Sequence, residues 1–305
     1  MWRWLRRPDV LMVLASAPTY VTTREALKVL DPQTLTPLRF LGSAAVLGIF
    51  LLLRRQRLQL RWRDAPRMGL AALLGYAGYG LLLNMGQETV PAGTTSLLLN
   101  LSPVFAFVLG YVVLRERTTG MGYLGMGVAV VGVAVITLGD GIGGVGGFNA
   151  SALYIVAAAL LLAVFLIVQQ PLFKRLGAAE VAFWGSLVGG LATLPTANPL
   201  AGAAGAGDLA GAGPAFWAAL VVLIVVSTAL AYGFWNVSLA GTSVAAGGSL
   251  LYVVPVFSLL LGWLLLAEVP SAAAMVGGAI ALTGVVLLNR AAKTYIPTVE
   301  LEAAR

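Results

Sequence analysis

Long apolar stretches alternate with short polar segments along the whole chain. Most of these stretches are near the roughly 20 residues that an α-helix needs to cross the hydrocarbon core of a bilayer. We number them as spans one to ten, at residues 9–29, 34–53, 67–88, 91–114, 119–138, 151–173, 178–197, 214–237, 243–267 and 271–289. Several connections are very short, which favours antiparallel packing of consecutive spans. The pattern predicts an all-α integral membrane protein with ten transmembrane helices.

Spans four and five are similar to spans nine and ten. Ten residues recur with the same identity at an offset of 152 positions. The pairs are Pro103/Pro255, Val104/Val256, Phe105/Phe257, Gly110/Gly262, Leu114/Leu266, Glu116/Glu268, Gly125/Gly277, Ala129/Ala281, Gly132/Gly284 and Val133/Val285. Such self-similarity indicates an internal duplication. It divides the chain into a first five-helix repeat (1–139), an external linker (140–150), a second repeat (151–290) and a tail (291–305).

Each half contains five spans, which is an odd number, so the second half enters the membrane upside down. Inverted repeats of this kind are the usual build of secondary transporters, with the substrate site near the midplane where the halves meet. The sequence therefore predicts two inverted five-helix repeats around a central cavity.

The basic residues predict the orientation of the bundle. With the N-terminus in the cytoplasm, 16 of the 19 Lys and Arg residues lie on the inside, six of them between residues 54 and 67. The positive-inside rule then places both termini in the cytoplasm. We expect a multi-pass protein of the cytoplasmic (inner) membrane.

The composition excludes several classes of function. Only 10% of the residues are charged, against roughly 25% in soluble domains. The net charge of +7 comes from short basic runs between spans, so we expect no nucleic-acid partner. The chain has no Cys and no His, which excludes thiolate and imidazole metal sites and a His-based proton relay. We expect no metal and no cofactor.

Two prolines fall near the middle of spans four and nine, at positions 103 and 255. A proline inside a helix lacks the N–H donor and clashes with the preceding turn, so Pro103 and Pro255 are expected to kink their helices. The carbonyls of Leu99 and Leu251 then lose their usual donors. The kink is either a packing feature of a membrane helix or, as its repetition in both halves favours, a device that shapes or gates the cavity.

Polar and aromatic side chains share faces of spans three, four, eight and nine. Asparagine is costly against lipid, so Asn84, Asn100 and Asn236 are expected to face the bundle interior. There they either line a cavity or form structural hydrogen bonds between helices. With neighbouring aromatic residues they form our predicted substrate-binding set: Tyr79, Asn84, Asn100, Tyr232, Trp235, Asn236 and Tyr252.

Ionisable residues within or beside the spans are functional candidates because they are costly in a bilayer. Arg39, just inside span two, could attract a substrate carboxylate. Glu88, at the outer end of span three, is the best candidate for proton coupling, although it lies close enough to the surface to be solvated. All carboxylates lie in loops or near span ends, so we expect transport down the substrate's own gradient, or weak coupling at most.

Small residues repeat at helical spacing in spans five and ten. Gly125 and Ala129 are four residues apart, and so are Gly277 and Ala281. This spacing lets helix backbones approach closely, so it predicts tight packing of both spans without a chemical role.

Several motifs are similar to those of a known family. They are Pro37-Leu38-Arg39-Phe40, Thr95–Leu101 followed by Pro103-Val104-Phe105, Leu114-Arg115-Glu116, Pro255-Val256-Phe257 and Ala267-Glu268. Over residues 9–289 the chain resembles the EamA-type branch of the drug/metabolite transporter superfamily. The resemblance implies an exporter of amino acids, other metabolites or drugs at the cytoplasmic membrane. The aromatic residues around Tyr76 and Tyr232 are similar to those of the amino-acid exporter subgroup, which includes YddG-like proteins.

These features together lead us to expect a secondary transporter that exports small metabolites by alternating access, with aromatic or other neutral amino acids as the leading substrate class. Its expected partners are the substrate and the lipid bilayer, and it is expected to work as a monomer. The alternatives are a drug or other-metabolite exporter of the same superfamily and a non-transporting receptor or assembly subunit. An intramembrane enzyme is disfavoured because the chain lacks His, Cys and a midplane carboxylate pair.

Single-cysteine labelling tests the predicted orientation, because the chain has no cysteine of its own. A cysteine replacing Val145 in the linker should react with a membrane-impermeant maleimide added outside intact cells. A cysteine replacing Arg57 should react only when the inner face is made accessible. Labelling of position 145 from the cytoplasmic face alone would contradict the assignment.

Overall fold

The ten spans predicted from the sequence are all represented in the computed structural model, which describes residues 8–114, 120–139, 150–197, 211–240 and 254–294. Within these ranges the chain is helical and contains no strand. In span order the helices are Pro8–Ser16 with Thr19–Ala26, Pro32–Leu53, Ala65–Gln87, Ala92–Leu99 with Ser102–Leu114, Gly120–Gly139, Ala150–Gln169, Ala178–Thr193, Pro214–Val221 continuing to Ala231–Ala240, Val254–Leu266 and Ala272–Thr294.

Five of the described helices are long and apolar enough to cross a membrane by length and composition. They are Pro32–Leu53, Ala65–Gln87, Gly120–Leu138, Ala150–Lys174 and Pro214–Ser238. Short 3₁₀ turns extend spans six and seven through Gln170–Lys174 and Leu194–Thr196. The predicted all-α membrane architecture is therefore confirmed.

Span two shows how the local sequence defines a helix end. Pro32 occupies the first turn, where its missing N–H is not needed. The side chain of Asp31 accepts a hydrogen bond from the N–H of Thr34 at 2.8 Å and caps the helix. At the other end Arg55 adopts a positive φ of 50°, which turns the chain out of the helix.

Spans one and four are interrupted rather than continuous. Span four ends its first helix at Leu99, and a turn at residues 100–101 leads into Ser102–Leu114. Pro103 thus lies in the first turn of a new helix, so the expected kink is a break just before the proline. Span one breaks at residues 17–18, which the sequence analysis did not anticipate. Pro255 lies in Val254–Leu266, which borders residues outside the described ranges, and Leu251 is among those residues, so the kink expected at Pro255 stays a prediction.

Two spans contain π-helical segments at related positions. In span three the segment is Leu73–Gly78, and in span eight it is Val222–Leu230. Tyr79 directly follows the first segment, and Tyr232 lies two residues after the second. Such segments widen the helix locally and are frequent at functional sites.

Spans five and ten pack backbone against backbone. A Cβ atom added to Gly132 would lie 2.3 Å from the amide nitrogen of Ala281, and one added to Gly284 would lie 2.4 Å from that of Ala129. The repeat offset of 152 relates the two contacts, because it pairs Gly132 with Gly284 and Ala129 with Ala281. The contact is therefore as close as the small residues predict, and it has the symmetry expected of a duplicated pair of helices.

The Gly132→Ala substitution tests this packing. The new methyl group has no free space against the facing backbone, so we expect the free energy of unfolding to fall by about 1–3 kcal/mol. Gly127→Ala is the matched control, since it lies on the same helix and a Cβ atom there meets nothing within 4 Å. Thermal unfolding of both variants in detergent provides the measurement. Equal stability of the two would contradict the close contact.

Candidate functional site

A cavity lies inside the bundle, between spans contributed by both halves of the chain. Its volume is about 90 Å³, which is room for several waters or a small solute. Spans one, two, three, six, eight and nine contribute its lining. The lining residues are Ser16, Thr19, Tyr20, Arg39, Tyr79, Leu162, Phe165, Ser227, Ala231, Tyr232, Trp235 and Val254.

Arg39 is the cation of this cavity. It is 1% exposed, and its Nε donates a hydrogen bond to the hydroxyl oxygen of Thr228 at 2.8 Å. Its buried Nη1 has no hydrogen-bond partner among the described residues, and none of the ion pairs there includes it. A buried guanidinium without a carboxylate is costly, which makes it a candidate for binding an anionic group.

The π-helical segment of span eight positions the partner of Arg39. The Thr228 hydroxyl donates its own hydrogen to the carbonyl of Leu223, five residues earlier, at 2.7 Å. Its oxygen then presents lone pairs to the guanidinium of Arg39. The local helix geometry therefore orients the threonine, and the threonine orients the arginine.

Aromatic rings form a wall beside the cavity. The ring of Tyr76 lies 4.6 Å from that of Tyr232, 5.5 Å from that of Phe40 and 5.6 Å from that of Phe165. The Tyr232 hydroxyl donates to the carbonyl of Gly75 at 3.1 Å and so links spans eight and three. The wall is apolar and draws on both halves of the chain.

A polar side of the cavity lies near the break in span one. Thr19 donates to the carbonyl of Ser227 at 3.4 Å. The Ser227 hydroxyl is buried and has no partner within the described ranges. Neutral hydroxyls of this kind can accept a hydrogen bond from a ligand as well as donate one.

Some of the predicted site residues line the cavity and others do not. The lining contains four of them: Arg39, Tyr79, Tyr232 and Trp235. Tyr252 lies outside the described residues, so its prediction is neither supported nor opposed.

The three asparagines are buried but lie outside the cavity lining. Asn84 donates to the Thr36 hydroxyl at 2.9 Å, Asn236 to the carbonyl of Ala178 at 3.2 Å and Asn100 to the carbonyl of Ser96 within its own span at 2.8 Å. The amide groups bond to neighbouring helices or to their own turn. Their alternative role as structural hydrogen-bond donors matches this placement better than cavity lining does.

Several lining residues were not anticipated. Sequence reasoning placed the cavity among spans three, four, eight and nine, with Arg39 of span two as a possible positive wall. The described lining comes from spans one, two, three, six, eight and nine, and none of it from span four. The break at Pro18 brings Ser16, Thr19 and Tyr20 to the cavity. The only sequence signal for this was a proline beside hydroxyl-bearing residues in the middle of an apolar span.

Glu88 lies away from the central cavity. It is exposed at the end of span three, beside a surface hollow lined also by Arg24, Lys28 and Glu268. Partial burial, with a smaller contribution from the negative charge of Asp31, raises the pKa of Glu88 above its ordinary value. A carboxylate at this position meets solvent directly.

Arg24 joins the two halves beside this hollow. Its Nε donates to Glu268 at 3.0 Å, and its Nη1 donates to the backbone carbonyls of Gln87 at 2.7 Å and Glu88 at 2.6 Å. One side chain of span one therefore holds the ends of spans three and nine together.

Within the described residues, an apolar helical bundle surrounds a solute-sized cavity whose lining contains one buried cation, which is the build of a membrane transporter. The sequence profile of the EamA-like transporter family matches residues 10–138 and, a second time, residues 149–290. The chain belongs to this family, and the two matches correspond to its two halves.

Individual relatives are also transporters by name. The chain is 36% identical over 230 residues to a protein of Streptantibioticus cattleyicolor described as a probable terminal-alkyne amino-acid exporter, covering 75% of each sequence. It is 28% identical over 283 residues to the uncharacterized transporter YdfC of Bacillus subtilis, covering 90% of this chain and 87% of that one. A solved crystal structure aligns with a TM-score of 0.65 at 20% identity, over 95% of this chain and 98% of the other, which supports the fold alone.

A double-mutant cycle tests the contact between Arg39 and Thr228. Thr228→Val leaves a buried charged donor without its acceptor, so we expect a loss of about 2 kcal/mol or more in the free energy of unfolding. Thr228→Ser keeps the hydroxyl and should retain most of the stability. In the Arg39→Met background, Thr228→Val should cost clearly less. Thermal unfolding in detergent gives the four values, and equal costs in both backgrounds would show that the two side chains are not coupled.

Proposed function

We propose that the protein exports small neutral amino acids, aromatic or aliphatic, across the cytoplasmic membrane by alternating access. The observation that carries this proposal is the buried Arg39 guanidinium, which faces the cavity without a carboxylate partner among the described residues. The substrate's own carboxylate would supply the missing counter-charge.

Arginine suits this role because its planar fork can hold a carboxylate through two parallel hydrogen bonds. Nε of Arg39 is already bound by Thr228, whereas Nη1 has no partner. Charge-assisted hydrogen bonds in a water-poor site are stronger than those in solution. No described carboxylate compensates this cation, so binding of a substrate carboxylate would remove a penalty as well as form new bonds.

The rest of the cavity fits a neutral amino acid. Phe165, Tyr232 and Trp235 offer apolar surface to a side chain, and the hydroxyls of Ser16 and Ser227 can accept hydrogen bonds from an ammonium group. No carboxylate is among the described residues that line the cavity. A substrate with a second positive charge would find no counter-ion there, which favours neutral side chains over basic ones.

The Streptantibioticus relative supports the substrate class. Its name describes export of an amino acid with an apolar terminal alkyne, a molecule that carries a carboxylate at one end and an apolar group at the other. Arg39 and the aromatic side chains of Phe165, Tyr232 and Trp235 line one cavity, which is the combination that such a ligand requires.

The energetics follow from the position of the carboxylates. Glu88 is exposed at one end of the bundle rather than in the cavity, and the described lining contains no acidic residue. The proposal is therefore transport down the substrate's gradient, or only weakly coupled transport.

An exporter of other carboxylate metabolites or of drugs is the second candidate, because Arg39 can bind a carboxylate but cannot recognise the ammonium group of an amino acid. A receptor or assembly subunit would transport nothing.

Efflux from proteoliposomes tests the role of Arg39. The wild-type protein should carry a neutral amino acid such as leucine or phenylalanine and discriminate against its amide, which lacks the carboxylate. Arg39→Gln should lower the efflux of the amino acid at least about tenfold, because it removes charge-assisted hydrogen bonds of about 1.5–3 kcal/mol. It should also abolish the discrimination, whereas Arg39→Lys should retain part of it.

Lys174→Gln is the control, since Lys174 is an exposed basic residue outside the cavity lining. Transport of amino acid and amide at equal rates by the wild-type protein would point to the second candidate, and no flux of any solute would point to a receptor.

A pH gradient imposed on liposomes with equal substrate concentrations on both sides tests whether transport is coupled to protons. Net accumulation that Glu88→Gln abolishes would identify Glu88 as a coupling residue and overturn the expectation of uncoupled transport.

A further inference from the structure

The segment that joins spans two and three carries a dense positive charge. It holds six arginines within fourteen residues, and all six are exposed: Arg54, Arg55, Arg57, Arg61, Arg63 and Arg67. None of them belongs to an ion pair in the part of the chain that the structure describes. We call residues 54–67 the arginine loop.

Two described carboxylates belong to the arginine loop or contact it, and neither forms an ion pair with its arginines. Asp64, within the loop, accepts a hydrogen bond from Arg175 at 3.5 Å. Glu180, which is 5% exposed at the start of span seven, accepts the backbone N–H groups of Gln59 at 2.5 Å and Leu60 at 3.0 Å. The loop is thus fixed to the second half of the molecule through its backbone, while its arginine side chains form no ion pair with the residues that the structure describes.

Apolar side chains accompany the arginines. Trp62 is 80% exposed and Leu58 is 49% exposed, and the loop starts directly after Leu53 at the end of span two. Tryptophan is enriched at the level of lipid headgroups because its ring is apolar while its N–H is polar. A loop with these exposed side chains fits the surface of a bilayer better than open water.

We propose that the arginine loop binds the phosphate headgroups of anionic phospholipids in the leaflet that adjoins it. Clustered basic residues next to a membrane helix are attracted to anionic lipid, and the arginine fork matches phosphate oxygens in two hydrogen bonds. Trp62 lies among the headgroups beside the arginines. Because Glu180 ties this loop to span seven, bound lipid contacts a junction between the two halves.

Fluorescence quenching in mixed micelles tests the proposal with the full chain. The protein is measured in a neutral detergent doped with brominated phosphatidylglycerol or with brominated phosphatidylcholine, and the Trp62→Phe variant supplies the background from the other tryptophans. The difference signal belongs to Trp62. We expect the phosphatidylglycerol to quench it at a several-fold lower mole fraction than the phosphatidylcholine, and added salt to reduce this preference.

The triple variant Arg57→Gln, Arg61→Gln and Arg63→Gln should lose the preference between the two lipids. Replacing the same three residues by lysine keeps the charge and should keep part of it, which separates phosphate recognition by the fork from simple attraction. Thermal unfolding in undoped detergent establishes that each variant is folded. A second readout is the number of bound phosphatidylglycerol molecules by native mass spectrometry, which should fall in the glutamine variant.

Three results would overturn the proposal. Equal quenching by both lipids would place Trp62 at the surface without headgroup recognition. An absence of quenching by either lipid would place the loop in water. Protection of Trp62 by an added polyglutamate peptide or oligonucleotide, at concentrations where phosphatidylglycerol has no effect, would identify a soluble acidic partner instead of lipid.

Discussion

The buried positive charge of Arg39 is the constraint on which the cavity depends. A cation at this depth of an apolar bundle is costly, and Thr228 offsets only part of the cost because it bonds one of the guanidinium nitrogens. Its buried Nη1 has no partner among the described residues, and Arg39 is part of the cavity lining. Under the proposed function, a ligand that brings a carboxylate would relieve this cost.

The irregular segments of the helices lie where the chain supplies the lining of the cavity. In a bilayer, backbone that departs from the regular α-helix is tolerated where it is buried in protein or lines a cavity. The break at Pro18 and the π-helical segments Leu73–Gly78 and Val222–Leu230 lie in or beside the stretches that supply lining residues, including Tyr79 and Tyr232. The cavity is thus built where three helices depart from regular geometry, and two of these departures occupy related places in the two halves.

Sequence reasoning succeeded where the physical cause is local. Apolar length predicted the spans, and small residues predicted the contact of spans five and ten. Arg39, Tyr79, Tyr232 and Trp235 line the cavity, while their role in binding substrate stays a prediction. The asparagines could not be assigned, because whether an amide meets a cavity or a neighbouring helix depends on contacts between distant spans. Thr228 was missed because a π-helical turn leaves no mark in composition or periodicity.

Carboxylates of the second half bond to the first half at both ends of the bundle, at different depths of burial. At one end Glu268 accepts a hydrogen bond from Arg24 at 3.0 Å and a second from the backbone N–H of Ala92 at 2.8 Å. The side chains of Arg24 and Glu268 are 26% and 20% exposed, so solvent screens this contact in part. At the other end Glu180 is almost fully buried and accepts two backbone N–H groups of the arginine loop. Loss of these bonds would leave a desolvated charge without donors, whereas water can reach Glu268.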